Sequence, residues 1–143
     1  MLGIFDISAS GLSAQRLRMD IISDNIANAS TVRPADQVPF QRRYPIFAEK
    51  QDNSFASALK RSTAQMGQGV RVVAIAEDDV TPGELVYQPE HPYADAQGYV
   101  HMPNVNIMRE MVNMISASRA YEANVTALNA TKSMIAKALE IGR

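Results

Sequence analysis

The chain contains no cysteine and no tryptophan, and aromatic residues make up only 6% of its 143 positions. The missing cysteine excludes disulfides, thiolate nucleophiles and cysteine-ligated metal sites. Neither sign of charge dominates: 14 Lys and Arg face 15 Asp and Glu, for a net charge of -1. A dedicated nucleic-acid binder needs a basic face to neutralise phosphates. The densest basic cluster, Gln41-Arg42-Arg43, reads as an ordinary solvated patch. No apolar run approaches the roughly 20 residues of a membrane-spanning helix. The start, Met1-Leu2-Gly3-Ile4-Phe5-Asp6-Ile7, lacks the basic segment and continuous apolar stretch of a cleavable signal peptide.

What the chain does have is periodicity at both ends. Leu12, Met19, Ile22, Ile26 and Ala29 recur at helical spacings, with Gln15 at the one polar position of the series. Leu17 and Ile21 widen this stripe, and Arg16, Arg18, Asp20, Ser23 and Asp24 fill the other side. The pattern predicts an amphipathic helix over 12–29, about 27 Å long. Gly11 weakens its continuation back towards Phe5, and Asn28 to Thr31 with Pro34 marks the exit. At the other end, Asn104 or Asn106 is a candidate cap after Pro103, with Glu110 near the positive helix end. Ile107, Met111, Met114, Ser118, Tyr121, Val125, Leu128, Lys132, Ile135 and Leu139 then alternate at spacings of four and three, a heptad-like seam. Gly142 is a plausible stop.

The middle, 32–102, differs in character: it holds six of the seven prolines and four of the seven glycines. Candidate strands are 43–48, 70–76, 84–87 and 99–102, with turns at Thr81-Pro82-Gly83 and Asp95-Ala96-Gln97-Gly98. The 70–76 segment alternates only in part. A Ser-, Gln- and Ala-rich segment at 52–69 reads as a loop with a short helix at 55–61. The expected fold class is therefore α+β: paired long N- and C-terminal helices, coiled-coil-like, around a small β-rich middle domain. The division is 1–31, 32–102 with a variable loop near 52–69, and 103–143. Long helices draw most of their stability from packing. The insert is too small to cover the C-terminal helix, so the helices cover one another, within one chain or between chains.

No catalytic constellation stands out. His91 lies in a Pro-bounded turn and His101 precedes Met102-Pro103, without a zinc-binding HExxH arrangement. No nucleophile elbow is present, and Gly67-Gln68-Gly69 lacks the remainder of a phosphate loop. Glu77-Asp78-Asp79 reads as a solvated turn. No catalytic residue, cofactor or metal is therefore expected.

The strings Ser10-Gly11-Leu12-Ser13-Ala14-Gln15 and Ile22-Ser23-Asp24-Asn25-Ile26-Ala27-Asn28-Ala29-Ser30-Thr31 resemble the N-terminal signature of the bacterial flagellar rod and hook proteins. The series Leu85 to Pro89, Ala94 to Val100, Met102 to Asn106, Glu110 to Asn113 and Ser116 to Asn124 resembles the basal-body rod proteins more narrowly, closest to their proximal-rod type. The resemblance covers both ends and about two-thirds of the chain. It implies a non-enzymatic subunit that self-assembles to transmit torque, with terminal helices in an inner tube and a β-rich outer region. It also implies export, without cleavage, through the flagellar type III apparatus into a rod crossing the periplasmic space. The implied partners are the protein itself, neighbouring FlgB- and FlgF-type rod proteins, other basal-body components and, transiently, the export apparatus; nucleic acid is not among them. The packing residues it implies are Leu12, Met19, Ile22, Ile26, Met111, Met114, Tyr121, Val125, Leu128, Ile135 and Leu139. Asn25, Asn28, Asn104, Asn106, Ser118, Arg119 and Asn124 would set turns or register. Another rod or hook subunit, and a soluble binding module built on a closed helical hairpin, are the alternatives.

Overall fold

A computed structural model describes residues 2–34, 36–50 and 68–141. Two helices, α1 (Leu2–Ala27) and α2 (Ile107–Ile141), flank strands β1 (Arg43–Glu49), β2 (Val70–Glu77), β3 (Leu85–Tyr87) and β4 (Tyr99–His101). The strands pair as two separate antiparallel ribbons, β1 with β2 and β3 with β4. The class is thus α+β, with terminal helices around a small antiparallel middle region. The expected loop and short helix at 52–69 lie almost wholly outside the described residues.

The N-terminal helix is longer than the periodicity predicts, because it runs through Gly11. A glycine inside a helix costs about 1 kcal/mol relative to alanine. Here it lies where α2 comes close: a Cβ on Gly11 would sit 3.1 Å from the Asn124 amide nitrogen. Tertiary contact therefore overrides the local penalty. The two helices run antiparallel. Gly11 meets Asn124 at one level, and Asn25 bonds Glu110 at another.

The β1–β2 ribbon packs on α1, and no described strand packs on α2 to any comparable extent. Two hydrogen-bonded clips hold it there. Val70 N donates to Ser10 Oγ at 3.1 Å, and Arg43 N donates to Asn25 Oδ1 at 2.9 Å. Between Ser10 and Asn25 the helix rises about 22 Å, and an eight-residue strand such as β2 spans about the same. Strand length and helix rise therefore match. A bulge opposite Ile46 and Phe47 leaves Val73 out of the pairing register. The bulge shifts the alternation of β2, so that both Ile75 and Val72 border clefts against α1, beside Ile21 and Leu17. This explains why the 70–76 segment alternates only in part.

Burial is concentrated on the helix pair and its junction with the strands. Ala14, Ile21, Ile22, Ala29, Phe40, Val100 and Ala117 are the buried apolar side chains among the described residues. The side of α2 turned towards α1 carries Glu110, Met114, Ala117, Tyr121, Asn124, Leu128, Thr131 and Ile135, all buried or half-buried. That seam keeps four-and-three spacing. It shares Met114, Tyr121, Leu128 and Ile135 with the predicted one and replaces Met111, Ser118, Val125 and Lys132 by the positions one residue earlier, while Ile107 and Leu139 have no counterpart in it. Inside the chain, the alternate seam positions are thus small or polar residues. Ile107, Met111, Lys132 and Leu139 are exposed, while Ser118 and Val125 are half-buried at the seam's edge.

Candidate functional site

The most buried polar groups meet where both helices join the strands. Asn25, in the last turn of α1, and Glu110, in the first turn of α2, are 0% and 1% exposed. Asn25 Nδ2 donates to Glu110 Oε2 at 3.1 Å and to the Arg43 carbonyl at 2.7 Å. Its Oδ1 accepts from Arg43 N, so one amide side chain completes a strand-like exchange with the backbone entering β1. Arg42 Nε donates to Glu110 Oε1 at 2.9 Å, and Asn113 Nδ2 donates to the same oxygen at 3.1 Å. The carboxylate thus has donors on both oxygens, which a buried charge requires.

Asn104 extends this network to the turn after β2. Its Oδ1 accepts from Arg42 N at 2.7 Å, and its amide donates to the carbonyls of Asp78 and Thr81 at 2.7 and 3.0 Å. Asp78 N donates back to the Arg42 carbonyl. Five segments (α1, the entry to β1, the exit of β2, the 104 turn and α2) are therefore joined by Asn25, Arg42, Arg43, Asn104 and Glu110. Nearby, Arg43 Nε donates to Glu77 at 3.0 Å, and its guanidinium lies 3.6 Å from Asp24. Both of those pairs are solvent-exposed and add little.

The other predicted register residues have separate roles. Asn106 caps α2, its Oδ1 accepting from Arg109 N at 3.0 Å. Asn28 turns back on Asp24, its amide donating to the Asp24 carbonyl at 2.9 Å, and ends α1. Asn124 lies against Gly11. Ser118 is half-buried and Arg119 is exposed. Of the predicted packing residues in α1, Ile22 is buried, and Leu12, Met19 and Ile26 are half-buried.

Two readings change. Arg42 is not part of a solvated patch; its side chain is 21% exposed and bonds a carboxylate that is 1% exposed. Glu110 is more than a favourable charge at a helix N-terminus; it is the centre of the junction. Neither was visible as a pair in the sequence, because 68 positions separate them. The signal that was available is the lone acidic residue in the first turn of the helix, among Ile107, Met108, Met111 and Val112.

Nothing in this geometry resembles a reaction centre. Among the described residues, no group of three or more His, Asp or Glu could hold a metal ion. Tyr93 N donates to His91 Nδ1 at 3.1 Å, closing a turn, and His101 is exposed in β4. Asp78 is held below the usual carboxylate range, first by the backbone N–H of Thr81 and then by the Thr81 hydroxyl. Asp95 is held low chiefly by the backbone N–H of Tyr99. Because both are depressed in the folded state, the stability they contribute is present above about pH 4, the unfolded carboxylate value, and is lost as pH falls through the folded values. Asp95→Asn should therefore flatten the fall of melting temperature between pH 5 and pH 3, measured by circular dichroism.

Comparison with known proteins identifies the family. Residues 5–34 match the family model "Flagella basal body rod protein", and residues 96–141 match "Flagellar basal body rod FlgEFG protein C-terminal". The chain is similar to the "Flagellar basal-body rod protein FlgC" of Bacillus subtilis, 46% identical over 96% of this chain and 95% of that one. It is 47% identical to FlgC of Borreliella burgdorferi over 98% of both chains. With FlgC of Salmonella typhimurium it shares 41% identity, covering 100% of this chain and 98% of the relative. The chain belongs to the FlgC family of flagellar basal-body rod proteins. As a FlgC-family member it is a structural subunit of the rod and not an enzyme. The two matched segments cover nearly all of α1 and all of α2, the helices that Asn25 and Glu110 join. No described helix is long and apolar enough to cross a membrane.

Proposed function

We propose that this FlgC-family chain occupies the proximal rod, where its terminal helices form part of an inner tube and its β ribbons lie outside. The supporting observation is the distribution of apolar surface on α2. The face towards α1 is covered, while Met108, Met111, Val112, Ile115, Met134 and Leu139 stay exposed along the same helix. A helix that is apolar beyond one stripe needs more than one neighbour. The heptad-like packing of α1 on α2 would then continue between subunits, with Met111, Val125 and Leu139 turned to adjacent chains. Those neighbours are copies of this chain and FlgB- and FlgF-type rod proteins, with other basal-body components at the rod's base. The divisions 1–31, 32–102 and 103–143 correspond to inner helix, outer region and inner helix. Export through the flagellar type III apparatus, without a cleaved leader, would deliver the chain to a rod in the periplasmic space. The Asn25–Arg42–Glu110 junction would carry torque between the two layers, since it bonds both helices to the strands.

Deleting the gene should leave rods stalled at the proximal end with no external hook, restored by a plasmid copy. Basal bodies imaged by electron microscopy give the readout, and truncation farther out would move the chain to another axial segment. Val125→Asp in that plasmid should abolish restoration, because the half-buried seam edge would then hold a carboxylate facing the next helix. Normal rods containing the variant would remove Val125 from the interface.

A further inference from the structure

With no cysteine present, the eight methionines hold all of the chain's sulfur. Those among the described residues fall into two groups by exposure. Met19, Met102 and Met114 are half-buried, and Met114 lies on the seam that α2 turns to α1. Met108, Met111 and Met134 stand open to solvent, at 73%, 49% and 65% exposed. All three belong to α2. Met108 and Met111 lie nearly one helical turn apart, and neither takes part in the seam formed by Glu110, Met114 and Ala117. Met134 stands in the same exposed state near the far end of the helix.

A thioether reacts with a peroxide through a lone pair on sulfur. The sulfur–oxygen bond forms as the oxygen–oxygen bond breaks. Sulfur gives up two electrons, the peroxide is reduced by two, and the departing hydroxide takes a proton to leave as water. Access of the oxidant to sulfur sets the order among chemically equal side chains. The product is a polar, chiral side chain in place of a flexible apolar one. The three exposed methionines hold no part of the single chain's buried core, so the fold outlasts the change. The character of α2's outward surface does not. Met108 and Met111 border Val112 and Ile115, which are 66% and 54% exposed, in one apolar area. A sulfoxide there brings a strong acceptor that has to lose its water before apolar surface packs over it. Leucine would fill these positions with nearly the same helix propensity and no reactive sulfur. Substitution therefore separates the reactivity from the apolar character.

We infer that Met108, Met111 and Met134 form an oxidant-sensitive modification site, at which a peroxide converts the free chain to sulfoxides and withholds it from the rod. The withholding rests on the reading of the chain as a rod subunit; the order of oxidation does not. In the first measurement the full chain, purified and treated with dilute hydrogen peroxide, is sampled over time and its peptides are weighed by mass spectrometry. Met108, Met111 and Met134 should each gain one oxygen at least about fivefold faster than Met114, with helix content by circular dichroism unchanged. Oxidation of Met114 at the rate of Met108, or loss of helix content as the three sites react, overturns the assignment. The second measurement uses bacteria whose own copy of the gene is deleted. They carry on a plasmid either the wild type or a variant with Met108→Leu, Met111→Leu and Met134→Leu together. Without oxidant both should build rods equally, since Leu and Met exchange with little change in volume. After a sublethal pulse of hydrogen peroxide, the wild type should form at least about threefold fewer new basal bodies than the triple variant. Unassembled wild-type chain should then carry the three sulfoxides. Equal numbers of basal bodies after the pulse overturn the proposal. Met114→Leu should give no resistance, and resistance from it alone overturns the choice of sites. Absence of the chain from basal bodies of unstressed wild-type cells overturns the rod reading itself, while the order of oxidation is decided by the first measurement.

Discussion

Replacing Glu110 by alanine is expected to cost about 3 kcal/mol of folding stability, within the range found when one partner of a buried ion pair is removed. The loss has several parts. Arg42 is left without its carboxylate, Asn25 loses one of its acceptors, and Asn113 loses the oxygen it bonds. Arg42 is partly exposed and can recover some hydration, which keeps the estimate at the lower end. Glu110→Gln should cost less, because its amide oxygen still accepts one of these bonds. The double change Asn25→Leu with Glu110→Leu should cost less than the sum of the two single changes, since it empties the junction from both sides. Urea unfolding followed by circular dichroism measures the wild type, the four single variants and the double variant. If Glu110→Ala unfolds at the wild-type midpoint, the junction contributes nothing to the chain's stability.

Ala117→Leu should cost about 2–3 kcal/mol through overpacking and push the helices apart. Ala117 is fully buried on the α1-facing seam of α2, between the levels fixed by Glu110 and Asn124. A larger side chain there has to displace α1 itself. Gly11→Ala gives the contrast. Its added methyl meets only the end of the Asn124 side chain, which can turn away, and the substitution gains about 1 kcal/mol of helix propensity. The net effect at Gly11 should be close to zero. Thermal melts of both variants, with rod incorporation as the second readout, separate the two cases. Equal destabilisation would mean that crowding at Ala117 is relieved locally.

Much of this organisation was legible in the sequence because it rests on local signals. Helical spacing gave both terminal helices, Asn106 was one of two candidate caps beside Asn104, and the turn chemistry at Asp95 to Gly98 bounded β4. Short-range rules had less to say where distant residues decide the outcome. Gly11 argued against helix until Asn124 was known to lie beside it. Val73 obscured β2 because a bulge is defined by its partner strand. The α2 seam was set one residue off at alternate positions because apolar residues were assumed to face inward. In the single chain, small and polar residues make the close approach to α1, and several of the apolar ones face outward. The Arg42–Glu110 pair was hidden for the same reason: each residue looks ordinary within its own segment.

The placement of α1 between the β1–β2 ribbon and α2 also bears on how freely the chain can drift in sequence. Helix α2 has one covered side and tolerates change over a broad arc, subject to its neighbours in the rod. Helix α1 is covered on two sides, and its exposed positions from Gly11 onwards reduce to Ser13, Arg16, Asp20, Ser23 and Ala27, with Asp24 beside them. These recur every three or four residues and make one narrow stripe. Substitution elsewhere in α1 has to satisfy a helix and a sheet at once, so the shorter of the two helices is the one with less room to vary.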